Sequence, residues 1–276
     1  MTSVSDPSAV TELASVDGSI GPTAEATLPL PDDGFYRGDG VFEVARLYAG
    51  SPFAMDEHWD RLGRSAAAID LPVDRNALEA ELEPLLAEAG EVDANLRVVV
   101  TRGGRRILLI EPPFPYADAA SVATVTYQPS VILNCVKSLS YAANMHATRI
   151  AKERGADEAI FVTPEGVILE APTSSIFWAG DDGVLKTPSL DNPILDSITR
   201  DRIVRSLEVE EGIYDESDFL EASEAFMAST GREVQPVSAI DGRELEWPGP
   251  RTTAAMKAFK AAIEQELGAA APGSSH

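Results

Sequence analysis

Glu158-Ala159-Ile160-Phe161-Val162-Thr163-Pro164-Glu165-Gly166-Val167-Ile168-Leu169-Glu170 decides the fold class. Two short runs rich in apolar and branched residues flank a Pro-Glu-Gly turn, and the stretch reads as a hairpin. A second hairpin follows, Ile176-Phe177-Trp178 and Val184-Leu185-Lys186 around Gly180 to Gly183. Before them lie a strand from Ser121 to Tyr127, an apolar run from Val131 to Lys137 read as a strand, and an alanine-rich helix from about Ser140 to Arg154. Gly155 stands where a helix stop is expected. After them a helix starts near Ser197, and a strand from Glu224 to Ala228 runs into Ser229-Thr230-Gly231. Hairpins mixed with helices, with no strand–helix–strand rhythm, predict an α+β fold and not a doubly wound sheet.

The first half repeats the mixture. Val41 to Tyr48 alternates as a strand, with Phe42, Val44, Arg46 and Tyr48 on one face. Trp59, Leu62, Ala66 and Ile69 have helical spacing over Asp56 to Ile69, with Asp56 as the expected cap. A second helix is expected from Arg75 to Ala89, then a strand from Leu96 to Thr101 that puts Arg97 on the face of Val99. An arginine-rich turn, Arg102-Gly103-Gly104-Arg105-Arg106, closes it. Prolines 112, 113 and 115 interrupt both helix and sheet. The expected organisation is therefore a small N-terminal domain over 1–112, a linker over 113–120, a larger domain over 121–268 and a disordered tail over 269–276.

The net charge of -23 excludes a phosphate-neutralising surface, so no nucleic-acid partner is expected, and no polybasic segment suits an anionic membrane. No apolar run reaches membrane-spanning length, and the N-terminus does not read as a secretory signal. The single cysteine, Cys135, rules out an internal disulfide and fits a reducing cytoplasm. Parity with Lys137 suggests that it is a small core residue. The three histidines, His58, His146 and His276, offer no metal-ligand spacing, and Gly38-Asp39-Gly40 lacks the spacing of a dinucleotide loop.

Lys137 stands out among five lysines and seventeen arginines. A lysine ending an apolar run is costly as a cation, because burial strips its water. Such a residue suits the neutral amine that Schiff-base chemistry needs. Glu170 ends an apolar, strand-like run of its own, Val167-Ile168-Leu169.

Six segments in order carry a resemblance. They are Gly38-Asp39-Gly40-Val41-Phe42-Glu43, His58-Trp59-Asp60-Arg61-Leu62, Lys137-Ser138-Leu139-Ser140-Tyr141, Glu170 to Phe177, Ser197-Ile198-Thr199-Arg200, and Ser229 to Glu233 with Pro236-Val237 behind. Together they resemble the class IV aminotransferases, pyridoxal-phosphate enzymes of fold type IV, over Gly34 to about Leu245. The resemblance implies a small α/β N-terminal domain and a larger, β-barrel-like C-terminal domain with helices. It also implies pyridoxal 5'-phosphate as cofactor and a homodimer. Lys137 would form the aldimine with the cofactor and shuttle the proton. Glu170 would face the pyridine nitrogen, and Tyr141 would lie near the cofactor hydroxyl. Arg61, the amides of Ile198 and Thr199, and Thr230 would bind the phosphate.

Within the family the substrate groups differ. The arginines of the branched-chain pattern are present at Arg46 and Arg97, without its glycine and tyrosine; Arg105-Arg106-Ile107 supplies arginine but not the histidine of the D-amino-acid pattern. Val44 stands where the lyases carry threonine. The expected activity is transfer of an amino group from a D-amino acid, a branched-chain L-amino acid or a primary R-amine to a 2-oxo acid. The substrate carboxylate is expected on Arg97 or on one of Arg102, Arg105 and Arg106. Aminodeoxychorismate lyase is the alternative, and an inactive relative acting as an interaction protein the more remote one.

Overall fold

Period-two alternation along β3 (Gly40–Tyr48) organises one of two units into which the structure, a computed structural model describing residues 10–268, divides. Among the described residues this unit comprises 10–114, Val136–Ser140 and 263–268; the other comprises Pro115–Cys135 and Tyr141–Ala262. The Lys137 segment, expected in the larger domain, belongs to the first unit. The tail expected to be disordered lies outside the described residues.

The first unit holds β1 (Leu13–Val16), β2 (Ser19–Pro22), α1 (Asp33–Arg37), β3, β4 (Ser51–Pro52), α2 (Met55–Ala68), α3 (Arg75–Ala89), β5 (Ala94–Thr101) and β6 (Arg106–Glu111). Its strands run in the order β2-β1-β6-β5-β3-β4. Val41, Ala45 and Leu47 meet Leu96, Val98, Val100, Leu108 and Ile110 in a core closed by Trp59, Leu62 and Ala66 of α2 and Leu78, Leu82 and Leu85 of α3. α2 begins differently from its expected cap. Ala54, in left-handed conformation, precedes it without a side-chain cap, while Asp56 sits in the first turn, where the helix dipole favours negative charge. α3 is capped by Asp74 and contains Pro84. A proline there costs about 3 kcal/mol, but burying each leucine contributes roughly 1.5–3 kcal/mol, so core packing keeps the helix.

The second unit holds β7 (Ala120–Thr126), α4 (Ala142–Glu153), β8 (Glu158–Val162), β9 (Ser175–Ala179), β10 (Leu185–Pro188), α5 (Ile198–Ser206), β11 (Glu210–Gly212), α6 (Glu216–Leu220), β12 (Glu224–Ser229), β13 (Glu233–Ile240) and β14 (Arg243–Glu244). An eight-stranded sheet runs β11-β10-β9-β12-β13-β7-β8, with β14 on β13. α4 lays Ala147 and Ala151 against Ala123, Ala159 and Phe161. It ends at Gly155 (φ 83), where the amides of Gly155 and Ala156 return to the carbonyls of Lys152 and Ala151, as in a Schellman cap. α7 (Pro250–Leu267) follows β14.

One expectation fails here. Val131–Leu133 form a 3-10 turn and not a strand; Val131 is 88% and Ile132 84% exposed, and Cys135 is left-handed at φ 60. Cys135 is exposed, not a core residue. Lys137 is therefore placed by a short edge contact and not by a buried strand.

Candidate active site

Lys137 is fixed through its backbone. Its carbonyl accepts from the Phe42 amide (3.0 Å), its amide donates to Ser65 Oγ of α2 (3.1 Å), and Val41 bridges Ser138. The approach requires Gly40. A Cβ there would come within 2.5 Å of the Val100 carbonyl oxygen and 2.7 Å of Leu139 Cδ1. The Lys137 amine then stands 4.5 Å from the centre of the Phe42 ring.

Phe42 lies on the sheet face that carries Val44 and Arg46. Arg97, directly opposite Val44 on β5, brings its guanidinium to 6.0 Å from the same ring and pairs with Glu111 at 2.9 Å. One aromatic side chain thus meets a primary amine and a guanidinium. Arg46 lies opposite Asn95, 5.7 Å from the Tyr48 ring, with its Nε buried and without a hydrogen-bond partner. The turn arginines are engaged elsewhere: Arg102 on Asp39 and the carbonyls of Ile69 and Asp70, Arg105 on Asp17, Arg106 on Glu81. Arg97 is ion-paired as they are, and differs from Arg102, Arg105 and Arg106, which the sequence left as alternatives, in lying against the Phe42 ring.

The opposite face of β3 holds a buried charge cluster in which only Arg61 had a role assigned from sequence. Glu43 accepts from both Nε and Nη2 of Arg61 at 2.7 Å and meets His58 Nδ1 at 2.8 Å; all three side chains are buried. Burial alone would raise the Glu43 carboxyl, but the Arg61 charge and hydrogen bonds, with His58, hold it well below the usual carboxylate range. An ionised carboxylate can only accept, so His58 carries its proton on Nδ1. Burial pushes the His58 pKa down against the pull of Glu43, and the nearby Arg61 and Lys137 charges lower it further, so the ring is neutral. The cluster follows from spacing: His58, Arg61 and Ser65 recur on one side of α2, and Glu43 has the parity of Val41 and Ala45. A carboxylate with core parity demands a cation, a signal already present in the sequence.

In the second unit, Glu170 is half-buried and not a solvated hairpin carboxylate. Its carbonyl accepts from the Phe161 amide (2.8 Å) and its Oε1 from the Leu195 amide (3.1 Å). Its charge acts after burial in raising the pKa values of Tyr127 and Cys135. Ser197 caps α5 by accepting the Arg200 amide (3.3 Å). The first helical amides, those of Ile198 and Thr199, belong to the set that a helix leaves for an anion. Thr230 lies in the β12–β13 turn, and Tyr141 is the residue from which α4 starts. The chain thus supplies an amine, an anchored carboxylate, a guanidinium and a capped helix start.

Comparison with known proteins gives the family. The family model described as amino-transferase class IV matches residues 40–240. A D-alanine aminotransferase of Listeria monocytogenes serotype 4b (strain F2365) is 35% identical over 272 residues, covering 88% of this chain and 93% of its own. A putative branched-chain-amino-acid aminotransferase of Methanocaldococcus jannaschii is 34% identical, covering 83% and 88%. Among solved structures, a fold IV-transaminase from Curtobacterium pusillum superposes with a TM-score of 0.79 at 26% identity, covering 88% of this chain and 96% of its own. The chain belongs to the class IV aminotransferases and is an enzyme of that family. No described helix is long and apolar enough to cross a membrane.

Proposed function

We propose that this aminotransferase uses pyridoxal 5'-phosphate to move the amino group of D-alanine-like amino acids to a 2-oxo acid, with Lys137 as the catalytic amine. The observation that carries it is the shared Phe42 ring, with the Lys137 amine and the Arg97 guanidinium both against it. Similarity to D-alanine aminotransferases supports the donor class.

The residues fit the cofactor. Arg61, the amides of Ile198 and Thr199, and Thr230 would hold its phosphate; Glu170 would hold its ring nitrogen, Tyr141 its hydroxyl, and Lys137 its aldehyde carbon. When bound, the group supplies an electrophilic carbon and a ring that accepts the electron pair freed at the substrate Cα. The remaining tasks fall to the chain. Arg97 holds the substrate carboxylate, with Arg46 on the neighbouring strand β3 and Arg105 as the remoter candidate. Phe42 keeps water from the amine, and Lys137 removes and returns the proton. Glu43 fixes the plane of the Arg61 guanidinium, and the neutral His58 adds no further positive charge beside Lys137.

Half-reaction rates with D-alanine, L-leucine, R-phenylethylamine and aminodeoxychorismate test the reading. D-alanine is expected to react fastest. Preferred reaction of L-leucine would transfer the assignment to the branched-chain class, and turnover of aminodeoxychorismate alone, with release of pyruvate, would make the chain a lyase. The working form we propose is a cytoplasmic homodimer. In the first unit Leu30, Phe35 and Tyr36 are at least 62% exposed, which supports a covered surface. Sedimentation at micromolar concentration should give the dimer mass, and a monomer would count against it.

A further inference from the structure

We propose that Arg232 is a positioning residue for phosphate binding: its guanidinium, paired with Glu158, holds the β12–β13 turn so that Thr230 meets the phosphate. This rests on the cofactor reading above.

The turn is short and unusual. Ser229 pairs with Glu233, leaving Thr230, Gly231 and Arg232 as the loop, and Glu233 adopts φ 54, a left-handed conformation that side-chain-bearing residues rarely take. Such a backbone persists when its surroundings over-determine it. Arg232 does so. Its amide donates to Ser229 Oγ (3.3 Å), and its guanidinium turns inward, donating through Nη2 to Glu158 Oε2 (2.7 Å) and through Nη1 to Gln235 Oε1. The plane lies 4.2 Å from the centre of the Tyr116 ring.

Each partner is itself anchored. Glu158 Oε1 accepts from Thr148 Oγ1 of α4 (2.6 Å) and from the Ala159 amide (3.1 Å), and Gln235 Nε2 donates to the Ala117 carbonyl (2.7 Å). The loop is thereby tied to β8, β13, α4 and the segment ahead of β7. The Arg232 and Glu158 side chains are only 8% and 6% exposed, and Arg232 Nε is buried without a partner. A pair buried at this desolvation cost, with one donor unsatisfied, is a poor choice for stability alone; apolar residues of similar volume usually serve as well. What the fork adds is orientation, because a planar guanidinium fixes both distance and angle. The residue so oriented is two positions from Thr230, the phosphate ligand.

Apo-protein titrated separately with pyridoxal 5'-phosphate and with pyridoxal, which lacks the phosphate, tests this. Wild type should prefer the phosphorylated compound. Arg232→Lys should weaken pyridoxal 5'-phosphate binding on the order of tenfold, as for loss of one charge-assisted contact, and leave pyridoxal affinity and kcat at saturating cofactor within about twofold. Glu158→Gln should give the same selective loss, and it carries the test alone if Arg232→Lys does not fold. Equal weakening of both compounds, or an unchanged preference, would reject the positioning role and leave the cofactor reading intact. A wild-type protein that binds neither would overturn both.

Discussion

Replacing Glu43 with alanine is expected to lower the unfolding free energy by about 3–5 kcal/mol, the cost of leaving a buried charge without its partner. Arg61 donates twice to this carboxylate, and both side chains are nearly inaccessible. Truncation removes the acceptor but leaves the guanidinium in the core, and His58 loses its partner as well. Urea denaturation measures the effect. A loss below about 1 kcal/mol would mean that water reaches Arg61 and that the cluster is not dry. Glu43→Gln should recover part of the loss, since an amide oxygen still accepts one bond but cannot balance the charge.

The same cluster gives a pH signature. His58 has a lowered folded pKa, so below its unfolded value of about 6.5 the unfolded chain binds a proton that the native ring refuses. Stability therefore falls as pH drops from 7 toward 5.5, by at most about 1.4 kcal/mol per pH unit for one proton. The Glu43 contribution, from a depressed pKa, is present above about 4.5 and is lost only at lower pH. His58→Gln should flatten the upper part of that decline, and an unchanged slope would locate the proton elsewhere.

Alternation and helical spacing are local signals, and the elements they describe were legible. β3, α3, α4 with its Gly155 stop and the Ser197 cap all lie within a residue or two of their expected places. What local pattern cannot report is which run finds a sheet edge. Val131 to Lys137 is apolar enough for a strand, yet Cys135 turns left-handed and the chain meets β3 only from Lys137 onward. β13 went unread for the opposite reason, since Pro236 argues against an interior strand. The sheet accepts it with a register shift between Val237 and Ala239 beside β7. Motif order marked the site residues, but not the partners that orient them. Glu43 carried only its core parity as a signal, and Glu158 became visible only through Arg232, which reaches it from a distant position in the chain.

Lys137→Ala is expected to lower turnover at least about a thousandfold, since one side chain supplies both the nucleophile and the proton carrier. The fold should survive. The backbone bonds of residue 137 to Phe42 and Ser65 do not depend on its side chain, and the change should cost no more than about 0.5–1 kcal/mol. The variant should still bind the coenzyme through its phosphate groups, because none of the proposed phosphate ligands is altered. What it should lose is covalent capture. Borohydride treatment followed by mass spectrometry should fix one coenzyme per wild-type chain at Lys137 and none in the variant. Lys186, which also lies against an aromatic ring, is paired with Asp218 at 2.9 Å and held charged, so it is no substitute nucleophile. If Lys137→Ala retained a reducible adduct, the reacting amine would have to be sought at another lysine, and the Phe42 ring would lose its place in the mechanism.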